Sequence, residues 1–253
     1  MRHLRRSSGT LAENLSRRGG EGLAGRSLTL LDSPPNNVSP GPPVRQPIAR
    51  ENIVEAAFRI LDEAGLEGIT LRKVACSLGI RAPSLYWHFK SKQALIDAMA
   101  DAMICDVARD IPAGQPWRQT LLQIAREFRL AFKARRDGAR VYAGTFLATE
   151  NVLRVGEASL AALIGAGLPV RFAATTAMDL VYYTMGFVIE EQSWPGDGSM
   201  EALGETFMAL AEQRFPHCWD AREVWSEVDF DTRFEQGLGL MLDGIALRLA
   251  ATP

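Results

Sequence analysis

The stretch Thr70-Leu71-Arg72-Lys73-Val74-Ala75-Cys76-Ser77-Leu78-Gly79-Ile80-Arg81-Ala82-Pro83-Ser84-Leu85-Tyr86-Trp87-His88-Phe89-Lys90-Ser91-Lys92 decides the fold. It reads as two short helices around a tight turn. Thr70 carries a side-chain acceptor suited to cap the first helix, whose inner face holds Val74, Ala75 and Leu78. Gly79 supplies the positive φ that such a turn needs, and Ile80 is the apolar turn residue that locks the helices together. Pro83 stands at the start of the second helix, where a missing N–H costs nothing. This layout presents a second helix to the major groove of DNA. Ala82, Pro83 and Ser84 are small enough for a close approach, and Tyr86, Trp87 and His88 follow them.

Charge agrees with that reading. Thr70 to Lys92 holds Arg72, Lys73, Arg81, Lys90 and Lys92 and no acid, while the segment before it carries Glu51, Glu55, Asp62, Glu63 and Glu67. Basic charge is thus gathered where phosphate is expected. The whole chain is not a polycation: 28 Lys and Arg against 30 Asp and Glu give a net charge of −2, so any nucleic-acid contact has to be a local patch.

Working outward, Ile53, Ala56, Ala57, Ile60, Leu61 and Ala64 mark an amphipathic first helix, ended by Gly65. Ser91 caps a fourth helix expected to run to about Arg109, whose N-terminus can hold a phosphate. Longer helices are expected at about 116–135, 138–145, 149–166, 170–193, 199–214 and 231–250, with no convincing alternating strand pattern. The expected fold class is all-α. A three-helix head spans 47–92, a connecting helix 91–109, and a larger bundle 110–253. Residues 1–46, rich in Arg, Gly, Ser and Pro, are expected to be a disordered tail. Cys76, Cys105 and Cys218 lie far apart with no CxxC spacing, which suits a reducing compartment and argues against a zinc site. No segment reads as a secretory signal or a bilayer span, so the expected location is cytoplasmic.

The residues at the turn also carry a family resemblance. Thr70-Leu71-Arg72-Lys73-Val74-Ala75, Leu78-Gly79-Ile80 and Leu85-Tyr86-Trp87-His88-Phe89-Lys90 resemble the helix-turn-helix of the TetR repressors, and of the tetracycline-repressor branch in particular. Arg136-Asp137-Gly138-Ala139-Arg140-Val141, Gly144-Thr145 and Gly186-Phe187-Val188-Ile189-Glu190-Glu191-Gln192 resemble that branch's ligand domain. The resemblance implies a ligand-responsive repressor that binds a palindromic operator as a homodimer. It implies that Arg72 reads a guanine, that Ala82, Pro83 and Ser84 face bases, and that Tyr86, His88 and Lys92 touch sugar and phosphate. Thr70, Lys73, Arg81, Trp87 and Lys90 complete the expected DNA surface, with Trp87 expected to be partly packed.

The effector positions depart from the branch. Where it has a metal-binding histidine this chain has Tyr142. Its drug-contacting asparagine is Ile124 here, a second histidine is Ala108, and an arginine is Phe146. Phe128, Thr145 and Glu190 are retained. A tetracycline–magnesium chelate is therefore not expected. The expected effector is small and largely apolar, aromatic or polyketide-like, lined by Phe128, Phe132, Tyr142, Thr145, Phe146, Met178, Tyr182, Tyr183 and Glu190, with no cofactor or metal. Val181, Thr184, Met185, Val188, Leu238, Leu240, Met241 and Ile245 are expected to pair two copies, with Gly186, Gly237, Gly239 and Gly244 allowing close approach. Two other readings stay open: transcriptional activation, and a small-molecule-binding protein of the same fold. Catalysis is not expected, because the three histidines (His3, His88, His217) fall in no HExxH pattern and no GxSxG or P-loop is present.

Overall fold

The computed structural model describes residues 48–195 and 201–251. The tail expected over 1–46 lies outside them, as does the expected start of a helix at 199. Twelve helices and no strand occur among the described residues: α1 (Arg50–Gly68), α2 (Leu71–Ser77), α3 (Ala82–Leu85), α4 (Lys92–Met103), α5 (Trp117–Lys133), α6 (Gly138–Tyr142), α7 (Glu150–Gly165), α8 (Val170–Ser193), α9 (Glu201–Arg214), α10 (Pro216–Asp220), α11 (Arg222–Ser226) and α12 (Phe230–Ala250).

The predicted punctuation holds where the side chains named for it act. Thr70 Oγ1 accepts from the Lys73 N–H at 3.1 Å, and Ser91 Oγ from the Ala94 N–H at 3.1 Å. Gly65 and Gly79 sit at φ +71° and +64°. Gly65 interrupts α1, so its regular part ends there and a short turn carries the chain to Gly68.

Two apolar cores result. One gathers Ile53, Phe58, Leu61, Val74, Leu85, Phe89, Leu95 and Met99 from α1–α4, and is closed by Val141 of α6. The other joins α5, α7, α8 and α12 around Leu121, Ile124, Phe128, Phe132, Leu163, Leu180, Val188, Phe234, Leu238 and Leu242. The fourth helix does not reach Arg109. It stops at Met103, and Arg154 of α7 takes the carbonyls of Ile104 (3.2 Å), Cys105 (2.7 Å) and Val107 (3.2 Å) in the segment that follows. The Ala108 N–H meanwhile donates to Glu127 at 2.7 Å. The five-residue helices α10 and α11 were not expected, since one turn carries no readable period.

The pairing expectation needs correction. Thr184, Val188, Leu238 and Ile245 are buried within their own chain. They lie on the inner faces of α8 and α12; the outer faces present Leu240, alone of the exposed large apolar residues in the expected set, together with Met178, Tyr182 and Leu247. Gly237 serves an internal contact: the Tyr183 hydroxyl donates to Phe234 O at 2.8 Å, and a Cβ on Gly237 would lie 2.4 Å from that hydroxyl.

Candidate DNA interface and effector site

The reading segment is α2, the Gly79 turn and α3. α3 itself is one turn long, but its hydrogen bonds continue: Tyr86 N–H to Pro83 O, and both His88 and Phe89 N–H to Leu85 O. Leu85 and Phe89 are its buried anchors. Arg50 fastens the far end, with its guanidinium 4.3 Å from the Phe89 ring centroid and Nη1 3.3 Å from His88 O. What this leaves outside is the expected surface: Thr70, Arg72, Lys73, Arg81, Pro83, Ser84 and Lys90 are exposed, and Ala82 and His88 half-buried. Tyr86 is 50% exposed, so it does not plug the helix interface.

One expectation changes here. Trp87 is 84% exposed and not partly packed; Leu85 and Phe89 turn inward two residues either side of it, which forces the indole out. Lys92 is half-buried, and its amine reaches Leu66 O at 3.5 Å at the end of α1. In this arrangement it serves as a helix C-cap.

The acids of the first helix have a distinct job. Asp62 Oδ2 accepts from Arg135 Nη1 at 2.8 Å, Glu55 lies 3.7 Å from Arg135, and Glu67 lies 3.5 Å from Arg140. Acidic charge is thereby tied to the α5–α6 turn, while Arg72, Lys73, Arg81 and Lys90 stay exposed.

In the bundle, three of the expected effector residues converge. The rings of Phe128, Phe132 and Tyr142 lie 5.2–6.0 Å apart, centroid to centroid. Burial, followed by the nearby Asp101 charge, raises the Tyr142 pKa above the ordinary value. Thr145 is half-buried and donates to Tyr142 O at 2.7 Å. Tyr183 belongs to a separate cluster with Phe187 and Phe234. Phe146 is 99% exposed, carried outward by the loop that turns at Gly144 (φ +77°). Met178, Tyr182 and Glu190 lie on the outer face of α8, away from the triad of their own chain. Ile124, at a position of interest, is fully buried beside the triad. Among the described residues no group of three or more His, Cys, Asp or Glu is placed to hold a metal.

Arg129 and Gln192 take roles that the sequence reading did not assign. Arg129 is buried and bonded in bidentate fashion to Glu191 (3.0 and 2.8 Å), with Asp231 at 2.7 Å. Burial opposes its charge, but the hydrogen bonds to Glu191 and Asp231 outweigh burial and raise its pKa. Gln192 spans the α5–α6 turn. Neither carries an independent sequence signal, since their partners lie some sixty residues away.

A helix-turn-helix head with an exposed basic reading face, joined to a larger helical bundle, defines a DNA-binding transcriptional regulator. Residues 53–99 match the model of the bacterial regulatory proteins of the tetR family, and 111–249 match the tetracyclin repressor-like C-terminal domain. The chain belongs to the TetR family. It is 39% identical to the class A tetracycline repressor from transposon 1721 of Escherichia coli, over 78% of this chain and 89% of that protein. A possible TetR family transcriptional regulator from Streptomyces coelicolor A3(2) superposes with a TM-score of 0.70 at 34% identity, covering 79% of this chain and 99% of that one. ActR from Streptomyces coelicolor, solved with actinorhodin, gives 0.72 at 25% identity, covering 79% and 96%.

Proposed function

We propose that the protein is a cytoplasmic, ligand-responsive transcriptional repressor. It holds a palindromic operator as a homodimer and lets go when a small, largely apolar effector enters the bundle. One observation carries the DNA half: the reading segment is fixed from behind by Leu85, Phe89 and Arg50, while Arg72, Arg81, Tyr86 and Trp87 are left facing out. Arg72 reads a guanine through its fork of donors. Ala82, Pro83 and Ser84 let the helix approach the base edges, and Lys73, Lys90 and the N-terminus of α4 hold phosphates. The head is residues 47–92, joined through 91–109 to the bundle.

The aromatic triad supports the effector half. Tyr142 and Ile124 replace polar groups, so an aromatic, polyketide-like molecule suits the site better than a metal chelate. The solved relative holding actinorhodin points the same way. For release, effector and operator must favour different states, by a coupling of a few kcal/mol.

The test begins with duplexes selected by the protein from random sequence. Arg72→Ala should weaken the selected duplex by about 1–3 kcal/mol and relax preference at one base pair. Uniform weakening across all sequences would make Arg72 a phosphate contact only. Thermal melts with aromatic polyketides, actinorhodin among them, should show stabilisation; no shift with any member would remove the effector reading.

A further inference from the structure

We propose that Gln192 is a positioning residue that couples the C-terminal end of α8 to the DNA-reading head. Its amide is used at both ends. Nε2 donates to Phe132 O at 3.1 Å and Arg135 O at 2.7 Å, and Oε1 accepts from the Ala139 N–H at 3.4 Å. One side chain therefore closes the end of α5, the start of α6 and the turn between them. Helix ends leave such carbonyls and N–H groups without partners of their own, so the geometry of this turn depends on where α8 places its amide. The fit is close: a Cβ on Gly138 would lie 2.1 Å from Phe132 O.

The same turn grips the head from its other side. Arg135 bonds Asp62, and the Arg136 N–H donates to Asp62 Oδ1 at 3.2 Å. Arg136 Nη1 donates to Glu63 O at 3.1 Å. Asp137, held at φ +55°, accepts from the Leu66 N–H at 2.9 Å. That N–H is freed where α1 breaks at Gly65, and a Cβ on Gly65 would lie 2.8 Å from the Asp137 carboxylate. The turn is thus held by α8 behind and by α1 in front. Next to Gln192, Glu191 pairs with Arg129 and Lys133 of α5, which makes the end of α8 and the end of α5 one unit. A shift of α8 carries the turn, and the turn carries α1.

This coupling rests on the reading of the protein as a two-headed repressor, but one arm of its test does not need DNA. In the full-length protein, Gln192→Leu removes both hydrogen-bonding ends while keeping the bulk. Hydrogen exchange should speed up at Ala139, which Gln192 touches, and about tenfold at Leu66, which it does not touch. In the DNA arm, selected duplexes carry one base pair added or removed between half-sites. The natural protein should prefer its own spacing at least tenfold and the variant under threefold, with the dimer unchanged in sedimentation. Gln192→Glu keeps the acceptor and the shape, and should give the same direction of change if Gln192→Leu fails to fold. Loosening confined to residues 132–139, with Leu66 still protected and spacing preference intact, would overturn the proposal and leave Gln192 a local cap. Absence of any DNA binding by the natural protein would instead count against the repressor reading, and the exchange arm would still decide the coupling.

Discussion

At the scale of single residues, two side chains answer to sharply defined surroundings. Tyr183 lays its ring on Phe234 at 5.5 Å and its hydroxyl against the bare Cα of Gly237. Gly237→Ala should therefore destabilise the fold by about 1–3 kcal/mol, as overpacking of a filled site does, and this is read from thermal melts. Tyr183→Phe in the same chain removes the nearest clashing atom, so the double variant should lose less than the sum of the single losses; strict additivity would show that the contact does not carry the cost. Tyr142 answers to burial. Its folded pKa is raised, so its contribution to stability is complete below the ordinary tyrosine value of about 10 and is lost as pH rises through the folded value. In an alkaline absorbance titration Tyr142→Phe should remove part of the late-ionising phase; an unchanged late phase would assign it to Tyr183 alone.

Elements were legible to the extent that their own residues make them. Thr70, Gly79 and Ser91 act within four residues of their positions, and the boundaries they imply are those observed. The end of α4 was not legible, because the carbonyls just beyond it are held by Arg154, some fifty residues on. The same holds for the effector site. The period of α5 puts Phe128 and Phe132 together, but whether Phe146 joins them is decided by the backbone at Gly144. Trp87 could be placed only once Leu85 and Phe89 were seen to be the inward pair. The joint between α5, α8 and α12 is likewise nonlocal: Arg129 meets Glu191 and Asp231, and lies 4.8 Å from the Phe234 ring. Arg129→Met leaves Glu191 buried with Lys133 as its remaining partner. The expected cost is about 3 kcal/mol, the low end for breaking a buried pair, because that partner survives. A loss below roughly 1 kcal/mol in a denaturant melt would mean that packing by the methionine replaces the ionic joint.

For the whole molecule, the question is what covers α8 and α12. α8 is long and apolar enough by composition to cross a bilayer, with 24 residues and a mean hydropathy of 1.3 in its most apolar window, yet only 22% of that window is buried in one chain. Its inner face is committed to the bundle through Leu180, Thr184 and Val188, and its end through Glu191. The apolar remainder, with Tyr182 and Met178, stands beside Leu240 (76% exposed) and Leu247 (74% exposed) of α12. Gly186, Gly239 and Gly244 have no atom within 4 Å of a Cβ built on them, so a second backbone can come close. A partner copy accounts for the apolar surface and the bare glycines together. Leu240→Glu with Leu247→Glu should then give a monomer in sedimentation at micromolar concentration, with helicity kept because both residues already lie outside the core. Such a monomer keeps one intact head but loses the second, tethered contact, so its affinity for a two-half-site duplex should fall by at least about 10²-fold. Its affinity for an isolated half-site should be unchanged. If the double variant still sediments as a dimer, these faces do not form the interface. If a true monomer holds the full duplex as tightly as the natural protein, paired heads about 34–36 Å apart are not how this chain reads DNA.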